Sequence, residues 1–214
     1  MAANLETGVE VRPTGSKLDL IQATVTAIAQ HGLSGLTSAK IAGIAGHTAA
    51  SVNFHFGGKE ALLLATLREV SEEFAEVMAT VQAESGGDDL QWLLGIVDAS
   101  LSRRLSESRK VAVWYAFLGE SNARKDYQSI CGERDEAWVR TVTMAARGAS
   151  AWPDANAVAL GLTGLIDQHW QGILFEGDGY DREAGRRQCR GYLCSVFPWL
   201  AARIGITAPA QAML

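Results

Sequence analysis

Ser38-Ala-Lys-Ile-Ala-Gly-Ile-Ala-Gly46-His-Thr-Ala-Ala-Ser-Val-Asn-Phe-His-Phe56 reads as two short helices meeting steeply at a glycine. Such a crossing needs a small side chain where the helices touch, and Ala42 supplies it. The turn needs a residue at ease with positive φ, and Gly46 follows four residues later. The second helix needs an apolar residue facing the first; Val52 stands six further on, with Ile41 beneath. Thr37 can cap a helix over 38–45, Thr48 a second one to about Phe54, and Gly57-Gly58 ends the motif. A plain structural hairpin would share this pattern but has no reason to exclude carboxylates. Residues 20–59 contain no Asp or Glu, although the chain carries 24, and they hold Lys40, Lys59, His31, His47 and His55. That is the charge pattern of a surface facing an anion.

Outward from the motif, the pattern stays helical. Leu18, Ile21, Val25 and Ile28 recur at spacings 3, 4 and 3 up to His31-Gly32. Residues 1–16, with Gly8, Pro13 and Gly15, read as a flexible tail. Leu63, Leu67, Val70, Phe74, Val77 and Val81 predict one long helix from Lys59 to about Glu84, with Glu69, Glu72, Glu73 and Glu76 on a solvated face. Asp88 caps a helix expected to reach about Leu105. A nearly all-apolar helix over 109–121 is expected to be buried, and another spans about 126–148. Pro153 suits a helix start, and that helix runs to about Phe175. After the Gly177-Asp-Gly179 turn, Asp181 caps a final helix to about 203, bent by Pro198. The expectation is an all-α chain of about nine helices.

Composition narrows the function. The 214 residues are 48% hydrophobic and 20% charged, with a net charge of −5, which excludes a disordered chain. The longest purely apolar run, Val111–Leu118, is far short of the roughly 20 residues of a membrane span. The N-terminus lacks the pattern of a secretion signal, and three cysteines make no disulfide framework, so a cytoplasmic protein is expected. No Gly-x-Ser-x-Gly, phosphate loop or His-Glu-x-x-His occurs. Cys189 and Cys194 lack histidine neighbours, and Gly177–Asp181 has too few oxygens for calcium. No catalytic residue, metal site or cofactor is expected.

The motif continues as His55-Phe-Gly-Gly-Lys59-Glu-Ala-Leu-Leu63, and over residues 18–67 the chain resembles TetR-type transcriptional regulators. Trp114-Tyr-Ala-Phe117 and Gly164-Leu-Ile-Asp167-Gln-His-Trp170 are similar to the choline-responsive BetI-type branch. The resemblance implies a homodimer that binds a palindromic double-stranded operator and releases it when a small effector enters the C-terminal domain. The implied division is a tail over 1–16, a three-helix DNA-binding domain over 17–60 and a helical ligand-binding and dimerisation domain over 61–214. His47, Ala50 and Asn53 depart from the family, which has an apolar residue, often Gly, and commonly Tyr at these places.

A second motif helix enters the major groove with its N-terminal residues leading. That assigns Thr48, Ala49, Ala50, Ser51, Asn53 and Phe54 to the DNA face; Ala and the Thr methyl suit thymine methyls, while Ser and Asn read base edges. Thr37, Ser38 and Lys40 open the helix that crosses the backbone. By resemblance, His55 and Lys59 are phosphate contacts. Residues 1–60 balance four basic against four acidic side chains, and this supports the alternative of a helical ligand-binding or adaptor dimer with a degenerate motif.

For the effector, Trp92, Trp114, Tyr115, Phe117, Trp138 and Trp170 cluster in the fifth to eighth helices. The candidate ligand residues are Trp92, Trp114, Phe117, Trp138, Asp167 and Trp170. Asp167 lies three residues from Trp170, so it shares that face and is expected to point inward at a cationic ligand. Core packing is the better explanation of any one aromatic, the pocket wall of the group together, and Arg140 or Arg147 could neutralise Asp167. Gly161, Gly164 and Gly172, with apolar Leu193, Val196, Phe197 and Leu200 on the last helix, fit a dimer interface.

Overall fold

A computed structural model describes residues 14–120, 123–149 and 154–203. The tail expected over 1–16 lies mostly outside them, and so does Pro153. Ten α-helices and one 3-10 turn make up the described residues, and none of them forms a strand. The chain divides into two compact units, 1–66 and 67–214.

The first unit holds α1 (Ser16–His31), α2 (Ser38–Ala45), α3 (Ala49–Phe56) and the start of α4 (Lys59–Glu84). Its core is Leu20, Ile21, Ile28, Leu36, Ile41, Val52 and Leu62, all buried. Of the stripe read from α1, Ile21 and Ile28 are buried and Leu18 and Val25 half-buried; Leu20, Ala23, Thr24 and Ala27 complete the inner face. Gly32, Gly46 and Gly57 close α1, α2 and α3 at φ of 64°, 71° and 79°, and so each helix stops where a left-handed residue is available.

The second unit holds most of α4, then α5 (Asp89–Ser100), α6 (Ser108–Gly119), α7 (Arg124–Ala149), α8 (Ala155–Glu176), α9 (Arg182–Val196) and α10 (Pro198–Arg203). α7 packs on α5 and α8, and α8 on α6 and α9. Asp88, Asp154 and Asp181 cap α5, α8 and α9 through side-chain bonds to backbone amides.

Three expectations need correction. α5 ends at Ser100, not near Leu105, because α9 claims the carbonyls that would continue it: Arg186 donates to Leu101 O at 3.0 Å and Arg182 to Ser106 O at 2.7 Å. The last helix breaks at Pro198 into α9 and α10, since proline supplies no amide to carry the ladder through, giving ten helices in place of nine. Glu73 does not lie on a solvated face. It is largely buried and takes both Lys110 and Arg104, tying α4 to α6 and the loop before it.

Candidate DNA interface and effector pocket

In the first unit, the inner residues of the motif are Ile41, Ala42 and Val52, each 1% exposed or less. Thr37 accepts the Lys40 amide at 3.2 Å, and His47 N closes the turn on Ala42 O at 2.8 Å. What remains outward is the other side of α3: Thr48, Ala49, Ala50, Asn53 and Phe54 are exposed, and Ser51 is half-buried with its hydroxyl 3.3 Å from that of Thr48. Phe54 is 84% exposed, with His55 edge-on against it at 4.9 Å between ring centres. The exposed side of α3 thus carries one bare aromatic ring, while Val52 is its buried residue.

The cations of this face are occupied. Lys40 Nζ donates to Gly35 O at 2.7 Å, and Lys59 Nζ to Leu36 O at 3.4 Å with Glu60 beside it. Asp19, one residue outside the acid-free stretch, reaches the turn and meets His47 Nε2 at 3.4 Å. The histidine that replaces the family's apolar residue therefore ties α1 to the turn between α2 and α3.

The second unit contains a cavity of about 250 Å³ between α4, α6, α7 and α8. Its wall is aromatic. Phe74 of α4 sits edge-on to Trp138 at 5.3 Å, to Trp170 at 6.1 Å and to Trp114 at 6.5 Å; Tyr127 meets Trp114 at 6.1 Å. Trp170 is locked by its Nε1, which donates to Ser100 O at 2.9 Å.

Two carboxylates border this wall. The Tyr115 hydroxyl donates to Asp167 Oδ1 at 2.5 Å, and Gln171 Nε2 donates to Oδ2 at 3.0 Å. The Tyr127 hydroxyl donates to Asp135 Oδ2 at 3.0 Å. Both phenols are held above their ordinary range, first by burial and then by the carboxylate each one serves; Tyr127 also feels the charge of Asp167. Burial likewise pushes the Asp135 carboxyl above its usual value. Among the described residues, no lysine or arginine pairs with either carboxylate. Arg140 turns instead to Glu136 at 3.4 Å.

Of the residues expected at the ligand site, Trp114, Trp138, Asp167 and Trp170 line this one cavity. Trp92 and Phe117 do not: at 6% and 2% exposure they are buried in the second unit, and neither lines the cavity. Asp167 is also not turned into the bundle. It is exposed, at the margin of the cavity, so its face is the one that meets both ring and water. Phe74, Tyr127 and Asp135 were missed. Phe74 reads as one more member of a core stripe, and Asp135 sits in Glu133-Arg-Asp-Glu136, which reads as a solvated run. The available signal was the spacing of eight between Tyr127 and Asp135, close to two helical turns.

The interface expectation also changes. Leu193, Phe197 and Leu200 are buried in the core of their own chain. Gly161 and Gly172 serve internal contacts with Tyr192 and Tyr180, whereas Gly164 faces open space. The outward face of α8 carries Leu160, Gly164 and Phe175, the last 83% exposed.

Residues 20–66 match the model of bacterial regulatory proteins of the tetR family, and residues 89–198 match that of the C-terminal domain of BetI-type transcriptional repressors. The chain is 28% identical to the HTH-type transcriptional regulator BetI of Stenotrophomonas maltophilia, over 81% of this chain and 89% of that one. It is equally similar to BetI 1 of Chromohalobacter salexigens, over 81% and 86%. Solved structures share the fold. A putative transcriptional regulator from Pseudomonas aeruginosa PAO1 superposes with a TM-score of 0.69 at 23% identity, covering 94% of this chain and 99% of that one. A putative regulator from Saccharomonospora viridis, in complex with choline, gives 0.70 at 21%, covering 83% and 95%. Among the described residues, no helix is long and apolar enough to cross a membrane.

Proposed function

Because the chain belongs to the TetR family of DNA-binding transcriptional regulators, in the branch with the BetI-type repressor C-terminal domain, we propose that it represses from a palindromic operator until a small organic cation fills its aromatic cavity. The observation that carries the cation is Asp167. Its carboxylate has two neutral donors, borders the rings of Trp114 and Trp170, and has no cationic partner among the described residues. Aromatic faces and a fixed carboxylate attract the same ligand class. Two or three such contacts of about 0.5–2 kcal/mol each, with one charge pair, favour a cation over a neutral ligand of the same shape.

The reading face is the exposed side of α3, with Thr48, Ala49, Ala50, Ser51 and Asn53 toward bases and Phe54 toward sugar or methyl groups. Thr37, Ser38, Lys40, His55 and Lys59 contact phosphate. The protein works as a homodimer through the outward face of α8 at Leu160, Gly164 and Phe175, beside the small and polar strip Gly191 and Ser195 of α9. The cavity's Phe74 and Ser71 belong to α4, one uninterrupted helix that begins at Lys59 just after the recognition helix. A ligand that moves Phe74 biases this helix, and a misfit of a few ångströms in recognition-helix spacing is enough to empty the operator. The test is selection of genomic fragments on the protein, followed by gel retardation of the winner with and without choline, betaine-like compounds and diamines. Release by a cation and not by a neutral compound of the same shape is expected. Retention unaffected by every cation would overturn the effector reading.

A further inference from the structure

The cavity holds a second carboxylate that a single cationic head cannot serve. Asp135 comes from α7 and Asp167 from α8; each is oriented by its own tyrosine, Tyr127 at 3.0 Å and Tyr115 at 2.5 Å. Both line the same space, and the Trp114 ring there meets Tyr127 and Trp170. Neither has a lysine or arginine partner among the described residues, and the two hydroxyl donors are neutral. Among the described residues, the cavity lining therefore brings two carboxylates and no lysine or arginine. Two carboxylates bordering one apolar-walled space, both also open to water, favour a ligand that neutralises both.

Resting on the reading of this cavity as a cation site, we propose that the effector is a dication with its charges at opposite ends of a short apolar chain, as in an α,ω-diamine, one end on Asp167 and the other on Asp135. The chemistry of the wall fits the middle of such a molecule: Phe74, Trp114 and Trp138 offer ring faces and edges to methylenes. A monocation on Asp167 leaves Asp135 served by the Tyr127 phenol and without a cation. A neutral hydroxyl at the far end gives Asp135 a donor but no charge. Only a second cation supplies both. The tyrosines make the arrangement specific, because each orients one carboxylate oxygen, while Gln171 holds the second oxygen of Asp167.

Calorimetric titration of the full dimer with three compounds of equal chain length decides the matter: butylamine, 4-aminobutanol and 1,4-diaminobutane, with the diamine series from three to six carbons to find the best span. A charged hydrogen bond is expected to give about tenfold to a hundredfold tighter binding of the best diamine over its monoamine, with the amino alcohol closer to the monoamine. In Asp135→Asn the diamine-to-monoamine ratio should collapse toward one, and Asp135→Glu should restore a preference at a shorter diamine. Equal binding of monoamine and diamine by the unaltered protein overturns the dication, as does an amino alcohol that binds as well as the diamine. If monocations bind and need Asp167 but diamines gain nothing, the dication fails while the cation reading stands. If no amine binds at all, both fail.

Discussion

The hydroxyl of Tyr115 on α6 and the carboxylate of Asp167 on α8 meet at 2.5 Å, so the carboxylate at the cavity is aimed by a neutral neighbour, with no lysine or arginine paired to it among the described residues. Tyr115→Phe removes the aim and keeps the charge. Cation binding should weaken about tenfold, in line with one hydrogen bond to a charged group. The melting temperature should hardly move, because Asp167 is exposed and keeps Gln171. Quenching of the Trp114, Trp138 and Trp170 fluorescence on titration reads the first; a thermal melt reads the second.

Three glycines of α8 separate packing from assembly. A Cβ at Gly161 would fall 2.1 Å from the Tyr192 hydroxyl, and one at Gly172 would fall 2.4 Å from the Tyr180 ring. Ala at either should destabilise the protomer by about 1–3 kcal/mol, the ordinary range for overpacking. Gly164 meets nothing within 4 Å. Gly164→Phe should leave the protomer folded and shift the dimer to monomer on sizing, with little change in circular dichroism.

His169 sets a pH dependence. It is buried, its Nδ1 lies 2.6 Å from the Tyr180 hydroxyl, and its Nε2 has no partner among the described residues. Burial holds its folded pKa below the ordinary 6.5. The unfolded chain therefore takes up the proton first, and stability is full above 6.5 and falls as pH drops below it. Asp135 acts with opposite sign, since burial raises its folded value above 3.8, and Asp135→Asn removes that contribution from the comparison. Denaturant melts from pH 8 to 5 should show the loss, and His169→Gln should flatten it.

The fold was legible because its punctuation is local. Thr37, Gly46, Gly57 and Asp88 bound helices by their own backbone and side-chain chemistry, and the bounds of α2 and α4 follow directly from them. The ends that were misjudged are set from afar. Arg182 and Arg186 of α9 stop α5, and no pattern within residues 88–105 announces them. The site was legible in part for the same reason. Asp167 and Trp170 share a helix and were found together, whereas Asp135 joins them only because α7 packs on α8. Trp92 and Phe117 went astray because aromatic composition cannot distinguish a wall from a core.

On DNA, the phosphate term should be small. Lys40 and Lys59 already donate to Gly35 O and Leu36 O, so each exchanges an internal bond for a phosphate. Retention on the operator should fall with salt at a slope below that of a protein making the usual 6–10 charged contacts. Lys59→Ala should weaken operator and random DNA alike, whereas Ser51→Ala should act on the operator alone, by about 1–3 kcal/mol if it reads one base pair. Parallel losses from the Ser51 change on both DNAs would show that it does not read sequence.

The most direct test of the cation cavity is a calorimetric titration of the purified dimer with choline and with 3,3-dimethyl-1-butanol, which has the same shape without the charge, repeated on Asp167→Asn. The account predicts micromolar binding of choline, at least tenfold weaker binding of the neutral alcohol, and loss of that difference in the Asn variant. Equal affinity for the two compounds, or a difference that survives in Asp167→Asn, would contradict it.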